Sequence, residues 1–332
     1  MENFHQPVLL DQVIHYLAPK SNQNFVDCTL GGGGHASEIL KRTAPAGLLL
    51  GIDLDPSAIQ LTQDATKIYK NRIGLVKDNF KNLKQILNDS QFSRVNGILF
   101  DLGLSSNQLQ DHARGFSFLA SGTLDMRFGA QSDLTASKIL NTWSAEDLIK
   151  IFQQYGEEKL ARPIALRIVE ARSKRPISLS QEIVEIVSAV YKKYYRAKSK
   201  INPATKIFQA LRIAVNSEFE NLKKGLGDAR ELLKPGGRIA VITFHSGEDR
   251  IVKETFKSWE KQGLVRIVTK KVVVPEEKEV EENPRARSGK LRVIEKVTLT
   301  ASSRTRSGNY KDRFRVRHGM TLNNDQEPIC KV

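Results

Sequence analysis

The stretch Phe25-Val26-Asp27-Cys28-Thr29-Leu30-Gly31-Gly32-Gly33-Gly34-His35 decides the fold. An apolar strand runs straight into four glycines, and Ala36-Ser37-Glu38-Ile39-Leu40 behind them has helix-forming character. Glycines let a backbone pass close to a ligand where a Cβ would clash. The helix start adds unpaired N–H groups and the positive end of a helix dipole. Four consecutive glycines are entropically costly, which weighs against an ordinary βα loop. A second apolar strand, Leu48-Leu49-Leu50-Gly51-Ile52, ends in Asp53. That acid falls about 20 residues past the glycines, where nucleoside-binding α/β folds place a carboxylate against ribose hydroxyls. Asp53-Leu54-Asp55-Pro56-Ser57-Ala58 then opens a helix, with Pro56 suited to its first turn. Two ligands fit this unit, a dinucleotide and S-adenosylmethionine. The dinucleotide fingerprint G-x-G-x-x-G is not cleanly present, although Ala36 at its sixth position is a permitted variant.

The alternation of strand and helix continues outward from this unit. Ile73-Gly74-Leu75-Val76 forms a third strand ending near Asp78-Asn79-Phe80, and Val95-Asn96-Gly97-Ile98-Leu99-Phe100 a fourth ending in Asp101. Such spacing predicts a parallel, doubly wound sheet, whose ligands bind at the C-terminal ends of the strands. From roughly Asp133 to Lys200 the pattern turns helical, with Ser144-Ala145-Glu146-Asp147 reading as an N-cap followed by first-turn acids. A long helix is expected from about Ala204 to Leu233. Lys234-Pro235-Gly236-Gly237 then turns the chain into the strand Arg238-Ile239-Ala240-Val241-Ile242-Thr243-Phe244, which ends at His245-Ser246. Further strands are expected at Val265-Arg266-Ile267-Val268 and Leu291-Arg292-Val293-Ile294. The expected organisation is a sheet domain in two parts, 1–110 and 206–300, interrupted by a linker and inserted helical domain over 111–205. The basic, Ser/Gly-containing tail over 301–332 has the composition of a segment that stays disordered until it meets a partner.

Composition narrows the function. Of 332 residues, 52 are Lys or Arg and 37 Asp or Glu, a net charge of +15 that favours a polyanionic partner such as nucleic acid. No apolar run approaches the ~18 residues of a membrane span, and the N-terminus does not read as a secretion signal. With only Cys28 and Cys330 a disulfide framework is not expected, so a reducing cytoplasm is the expected compartment. Neither cysteine is well placed as a nucleophile, Cys28 lying inside a predicted strand and Cys330 in the tail. No group of Cys, His and acids has metal-ligand spacing, so no metal is expected. The run from Tyr191 to Lys200 mixes aromatics with five basic residues, a pattern shared by solvated helix ends and nucleic-acid contacts.

A Pro-Gly-Gly turn followed by a terminal strand hairpin is the ending of a Class I (Rossmann-like) methyltransferase sheet, whereas dehydrogenases usually continue with a second mononucleotide half. The ligand reading therefore moves to S-adenosylmethionine. Several ordered phrases then carry a closer resemblance. They include His5-Gln6-Pro7-Val8-Leu9-Leu10, the glycine loop, Phe100-Asp101-Leu102-Gly103-Leu104-Ser105-Ser106-Asn107-Gln108-Leu109 and Arg114-Gly115-Phe116-Ser117-Phe118. Leu124-Asp125-Met126-Arg127, Tyr155-Gly156-Glu157-Glu158, Asn202-Pro203-Ala204-Thr205, Phe208-Gln209-Ala210-Leu211-Arg212-Ile213, Phe244-His245-Ser246-Gly247-Glu248-Asp249-Arg250 and the segment Asn283 to Arg292 follow in order. Over residues 1 to about 297 the chain resembles the bacterial 16S ribosomal RNA cytosine-N4 methyltransferases.

The resemblance implies methyl transfer from S-adenosylmethionine to the exocyclic N4 of a cytosine in the decoding region (P site) of 16S rRNA in the small ribosomal subunit. It implies cofactor contacts at Gly33, Gly34, His35, Asp53, Phe80, Asp101 and Gln108. Asp101, His245 and Ser246 are the candidate catalytic residues, with Asp101 serving cofactor, amine or both. Basic residues within or beside the phrases, Arg114, Arg127, Lys206, Arg212, Arg250, Arg285 and Arg287, are the candidate RNA contacts. Many amino-methyltransferases carry a Pro-Pro-aromatic motif after the fourth strand. Its place is taken here by Asp101-Leu102-Gly103-Leu104, so the aromatic that stacks on the base is expected from Phe116, Phe118 or Phe244. Three departures stand out: Gly247 in place of leucine, expected to loosen the turn after His245-Ser246; Lys206-Ile207 in place of Arg-Thr; and Phe128-Gly129-Ala130 after Arg127. Two alternatives remain beside this reading, a DNA amino-methyltransferase and a non-catalytic RNA-binding ribosome-assembly factor that retains a cofactor pocket.

Overall fold

A computed structural model describes residues 7–90, 92, 94–104, 115–116, 122–129, 133–195 and 202–298. Seven strands form one sheet in the order β3-β2-β1-β4-β5-β7-β6. The strands are β1 (Phe25–Asp27), β2 (Leu49–Asp53), β3 (Ile73–Lys77), β4 (Val95–Asp101), β5 (Leu233–Thr243), β6 (Val265–Ile267) and β7 (Lys290–Lys296). β1 to β5 run parallel, while β7 is antiparallel to both β5 and β6. Strand order reverses between β1 and β4, and the crevice outside such a reversal is where α/β sheets bind ligands.

Helices cover the sheet: α1 (Leu10–Leu17), α2 (Gly34–Arg42), α3 (Pro56–Ala65) and α4 (Leu83–Asn88) come from the first part of the chain. Their signals are local. Asp55 caps α3 by accepting the Ser57 N–H at 2.9 Å, with Pro56 in the first turn where no N–H is needed. On one side of the sheet Val26, Ile52, Ile98, Phe100 and Val241 enter a core shared with α4. Phe25, Leu49, Leu99 and Ile242 enter a second core with α1 and α2. The alternation along each strand thus feeds both faces, as a covered parallel sheet requires.

Helices α5 (Ala136–Thr142), α6 (Ala145–Gln154), α7 (Ala161–Arg172) and α8 (Ser180–Tyr194) lie between β4 and β5 in the chain. With α9 (Thr205–Asn216) they enclose a third core of their own, including Phe152, Ile164, Ile168, Val187 and Leu211. Ser144 caps α6, accepting the Asp147 N–H at 3.1 Å as its sequence signals. Asn216 ties this region to the Leu124–Arg127 phrase: it accepts the Phe128 N–H and donates to the Met126 carbonyl, both at 2.8 Å.

Two expectations need correction. The single helix from Ala204 to Leu233 is two, α9 and α10 (Glu218–Leu232), broken at Ser217 with φ +50°. A left-handed non-glycine residue costs about 1–2 kcal/mol and persists only where its neighbours hold it, and nothing in the local sequence marks Ser217. The break sets Arg212 on α9 against Glu218 on α10, where they form a bidentate ion pair at 2.8 and 2.9 Å. The Pro-Gly-Gly turn lies inside the span of β5 as an irregularity: Val95 pairs with Leu233, and Gly97 already with Arg238. α11 (Ser246–Lys261) and α12 (Glu277–Glu282) complete the chain's described helices.

Candidate active site

Three carboxyl groups mark the C-terminal edge of the sheet at its reversal point. Asp27 ends β1, Asp53 ends β2 and Asp101 ends β4. Register fixes their relation: Asp27 pairs with Gly51 and Leu99, so Asp53 and Asp101 each lie two residues further along their strands. The glycine loop leaves β1 and curls over this edge. Gly31, at φ +53°, donates its N–H to Asp53 Oδ2 at 3.1 Å, while Asp53 Oδ1 accepts the Asp55 N–H at 2.9 Å. Gly33, at φ +77°, is the N-cap of α2 and packs against Thr62, and its left-handed backbone favours glycine there. The loop therefore starts α2 beside the acids, and first-turn amides at a helix start are donors for an anionic group.

The acids are held in states that call for a ligand. Asp27 is fully buried, and burial pushes its carboxyl up to about 7; the Thr29 N–H eases this, and the charge of Asp53 adds to it. Burial likewise pushes Asp53 up to about 6, against the stabilising N–H groups of Asp55 and Gly31. Asp101 is pushed well above the usual carboxylate range by burial, then by Asp27 and Glu248. Asp27 Oδ2 and Asp101 Oδ1 are buried acceptors with no hydrogen-bond partner among the described residues. Orphaned buried acceptors are costly, and they are satisfied when a donor arrives.

His35 is buried rather than displayed. Its Nε2 lies 3.1 Å from the Val8 carbonyl, which requires the proton on that nitrogen, and its Nδ1 lies 3.7 Å from Asp101 Oδ2. The imidazole thus links the N-terminal segment to Asp101. Phe80 follows β3 in a short 3-10 turn, half-buried, with its ring edge-on to Phe100 at 5.5 Å. Thr29 completes the edge: its hydroxyl accepts the Asp101 N–H at 2.6 Å and its own N–H goes to Asp27 Oδ1 at 3.1 Å.

At the end of β5 the carboxylates are already paired. His245 is the N-cap of α11, and its Nδ1 accepts the Glu248 N–H at 3.3 Å. Its Nε2 lies 3.2 Å from Glu248 Oε1, out of line for a good hydrogen bond. Glu248 in turn accepts the Phe244 N–H at 2.9 Å. Although burial opposes its ionisation, His245, Arg212 and that N–H together hold its carboxyl below the usual range. Ser246 donates its hydroxyl to Glu157 Oε2 at 2.7 Å, and Arg250 reaches Glu157 Oε1 at 2.7 Å. His245 therefore serves α11 through Nδ1, a structural use that its sequence position did not announce, and its buried Nε2 is left without a hydrogen-bond partner among the described residues. Glu218, His245 and Glu248 bring ligand atoms within 4.8 Å of one another. Glu218, however, is taken up by Arg212, and the cluster reads as a buried ion network.

Other sequence expectations meet the structure unevenly. Arg212 is buried in its pair with Glu218, and Arg127 is held by Asp125 through two contacts of 2.7 Å, so neither presents its charge as expected for an RNA contact. Lys206 is exposed and donates to the Glu157 carbonyl at 3.1 Å. Arg285 and Arg287 are exposed on a short 3-10 turn. Phe116 is buried against Phe128, which removes it as a stacking aromatic, whereas Phe244 is half-buried beside Gly103. Gln108, Arg114 and Phe118 lie outside the described residues, as does the tail over 301–332. Gly247 does not loosen its turn. The Phe219 ring occupies the space where a larger side chain would stand. Sequence reasoning missed Asp27 as a site residue, although an acid at the last position of β1 before a glycine loop was a usable signal. It also missed Glu157 and Glu248, each of which stands within a quoted phrase.

A Rossmann-like sheet with a glycine loop, a ribose-type acid after β2 and a terminal antiparallel hairpin defines an S-adenosylmethionine-dependent methyltransferase. The residues present fit that cofactor. Asp27 Oδ2 and Asp101 Oδ1 are unpartnered acceptors that would suit an ammonium group, and Asp53, at the end of β2, would stand where a ribose is expected. When bound, S-adenosylmethionine supplies an electrophilic methyl group on a sulfonium. Residues 2–297 match the MraW methylase family, and the chain belongs to it. A ribosomal RNA small subunit methyltransferase H from Desulfosudis oleivorans is 44% identical over 308 residues, covering 88% of this chain and 99% of that one. The protein of the same name from Thermomicrobium roseum is also 44% identical, covering 88% of this chain and 94% of its own. Among solved structures, an rRNA methylase from Streptococcus thermophilus aligns over 87% of this chain and 94% of that one, with 10% identity and a TM-score of 0.41. Among the described residues no helix is long and apolar enough to cross a membrane.

Proposed function

We propose that this methyltransferase modifies the exocyclic N4 of a cytosine in the decoding region (P site) of 16S rRNA, on the small ribosomal subunit in the cytoplasm. The observation that carries the reading is the acid-lined edge at the reversal point of the sheet, in a chain that aligns nearly end to end with small-subunit rRNA methyltransferases. Nitrogen rather than carbon is favoured because Cys28 is buried and burial pushes its thiol well up, so it cannot serve as a thiolate nucleophile at a base.

A cytosine amine is a weak nucleophile because its lone pair is delocalised into the ring. The protein's part is to hold that nitrogen in line with the methyl group and to offer an acceptor for the proton it sheds. Asp101 is the acceptor we propose, serving cofactor and amine together. Burial pushes its carboxyl well above the usual carboxylate range in the free protein, and a nearby cation favours its carboxylate. Gly33, Gly34, His35, Asp53, Phe80 and Gln108 hold the cofactor in this reading. His245 and Ser246 are positioning residues that set the start of α11. Phe244 is the stacking aromatic, and the helical region over 111–205 faces RNA.

The test is methyl transfer from labelled S-adenosylmethionine to undermethylated small subunits, followed by digestion and identification of the modified nucleoside. N4-methylcytidine at one position is the expected product. Label in DNA and none in rRNA would instead support a DNA amino-methyltransferase, and no label in either, with a working control enzyme, would leave a binding factor.

A further inference from the structure

We propose that a groove along α11, lined by Lys253, Lys257 and Lys290, holds the sugar-phosphate backbone of the substrate RNA beside the target nucleotide. The groove has a volume of about 420 Å³ and is lined also by Ser246, the first residue of α11, three residues past the end of β5. Arg250, Lys253 and Lys257 fall at i, i+3 and i+7, so one face of α11 carries all three over roughly 10 Å of helix. Lys290, the first residue of β7, lines the same groove and pairs in register with Thr243 at the end of β5.

The charges differ in their availability. Arg250 is committed to Glu157 at 2.7 Å. Asp249, one of two acids in the groove, is neutralised by Arg292 through contacts of 2.6 and 3.0 Å. Lys253 and Lys257 are exposed, and among the described residues neither they nor Lys290 has a carboxylate within 4.0 Å. Glu254 is the remaining acid. Three uncommitted ammonium groups against one carboxylate make a site for a polyanion. An enzyme acting on a base within a strand must seat the backbone that continues past it, and lysines serve that purpose as mobile point charges. This assignment rests on the RNA reading above and adds the surface that the ion-paired Arg212 and Arg127 do not provide.

The test compares the full-length protein with the Lys253→Gln/Lys257→Gln variant, whose positions are exposed and carry no packing, and with the triple variant that adds Lys290→Gln. Binding to naked 16S rRNA and to undermethylated small subunits is measured across salt concentrations, with S-adenosylmethionine affinity as the control for folding. Each lysine contacting a single-stranded phosphate contributes about 0.7 to the slope of log K against log salt. The double variant should lower that slope by about 1.4 and weaken RNA binding roughly ten- to thirty-fold at 0.1 M salt, with cofactor affinity unchanged. Unchanged slope and affinity, with the wild type methylating normally, would overturn the groove and leave the RNA reading standing. A loss on subunits but not on naked rRNA would assign the groove to an acidic protein surface, overturning it as well. A wild type that neither binds nor methylates RNA would overturn both readings.

Discussion

The two ends of the parallel sheet's active edge treat charge in opposite ways. At β1, β2 and β4, Asp27 is buried and Asp53 and Asp101 part-buried, their carboxyls are pushed upward, and two of their oxygens have no partner among the described residues. Past β5, Arg212 meets Glu218, the His245 Nδ1 meets the Glu248 N–H, and Ser246 and Arg250 meet Glu157, so the carboxylates are met within the protein and, of these groups, only the His245 Nε2 is left without a partner among the described residues. The difference teaches where a ligand belongs. Unmet acceptors become favourable only when a donor arrives, whereas a closed ion network fixes geometry and has little left to give.

The comparison breaks first at Asp101. If it receives the amine proton, Asp101→Asn should lower single-turnover methyl transfer at saturating cofactor by about 10²–10⁴-fold. A loss of less than tenfold would move the acceptor elsewhere. The next largest effect belongs to the paired end. Arg212→Ala strands Glu218 in the interior and should cost about 3–5 kcal/mol in denaturant unfolding. A stable variant with weakened RNA binding would return Arg212 to the substrate surface. Asp53→Ala should weaken S-adenosylmethionine by about 1.5–3 kcal/mol for each charge-assisted hydrogen bond lost, read by calorimetry, and an unchanged affinity would remove it from the ribose site. Smallest is His245→Asn, which keeps an N-cap acceptor. Stability should fall by about 1 kcal/mol or less and transfer by less than tenfold. A hundredfold loss at unchanged stability would make the imidazole catalytic.

The acids also predict a pH dependence with a definite sign. Asp27 at about 7 and Asp53 at about 6 both lie above the ordinary value of 3.8, so the folded protein binds more protons than the unfolded chain between those limits. Their contribution to stability is present below about pH 4 and is lost as pH rises through 6 and 7. The cofactor-free protein should therefore lose stability on this account between about pH 4 and pH 7, and Asp27→Asn should flatten the loss in a thermal melt. A loss as steep as in the wild type would mean that Asp27 is already ionised.

Much of the cofactor side was legible because its signals are local. Strand alternation, the glycine run and the acids ending β2 and β4 each occupy a few consecutive residues. The paired end was far less legible. Nothing near Ser217 marks a left-handed break, and without it Arg212 and Glu218 would not face each other. Arg127 reads as a surface cation until Asp125 is seen to fold back on it. His245-Ser246-Gly247-Glu248 has the spacing of a capping box, yet histidine is an uncommon cap, and the catalytic reading masked the structural one. Pairing across elements depends on where chains turn, which composition and periodicity do not encode.

Asp27, Asp53 and Asp101 at the sheet edge receive the cofactor in the function proposed above. Calorimetric titration of S-adenosylmethionine at pH 6.5, repeated in two buffers of different ionisation enthalpy, tests it most directly. Donors arriving at Asp27, Asp53 and Asp101 favour their carboxylates, so binding should release about one proton and the apparent heat should differ between buffers accordingly. Identical heats in both buffers, with tight binding intact, would contradict the claim.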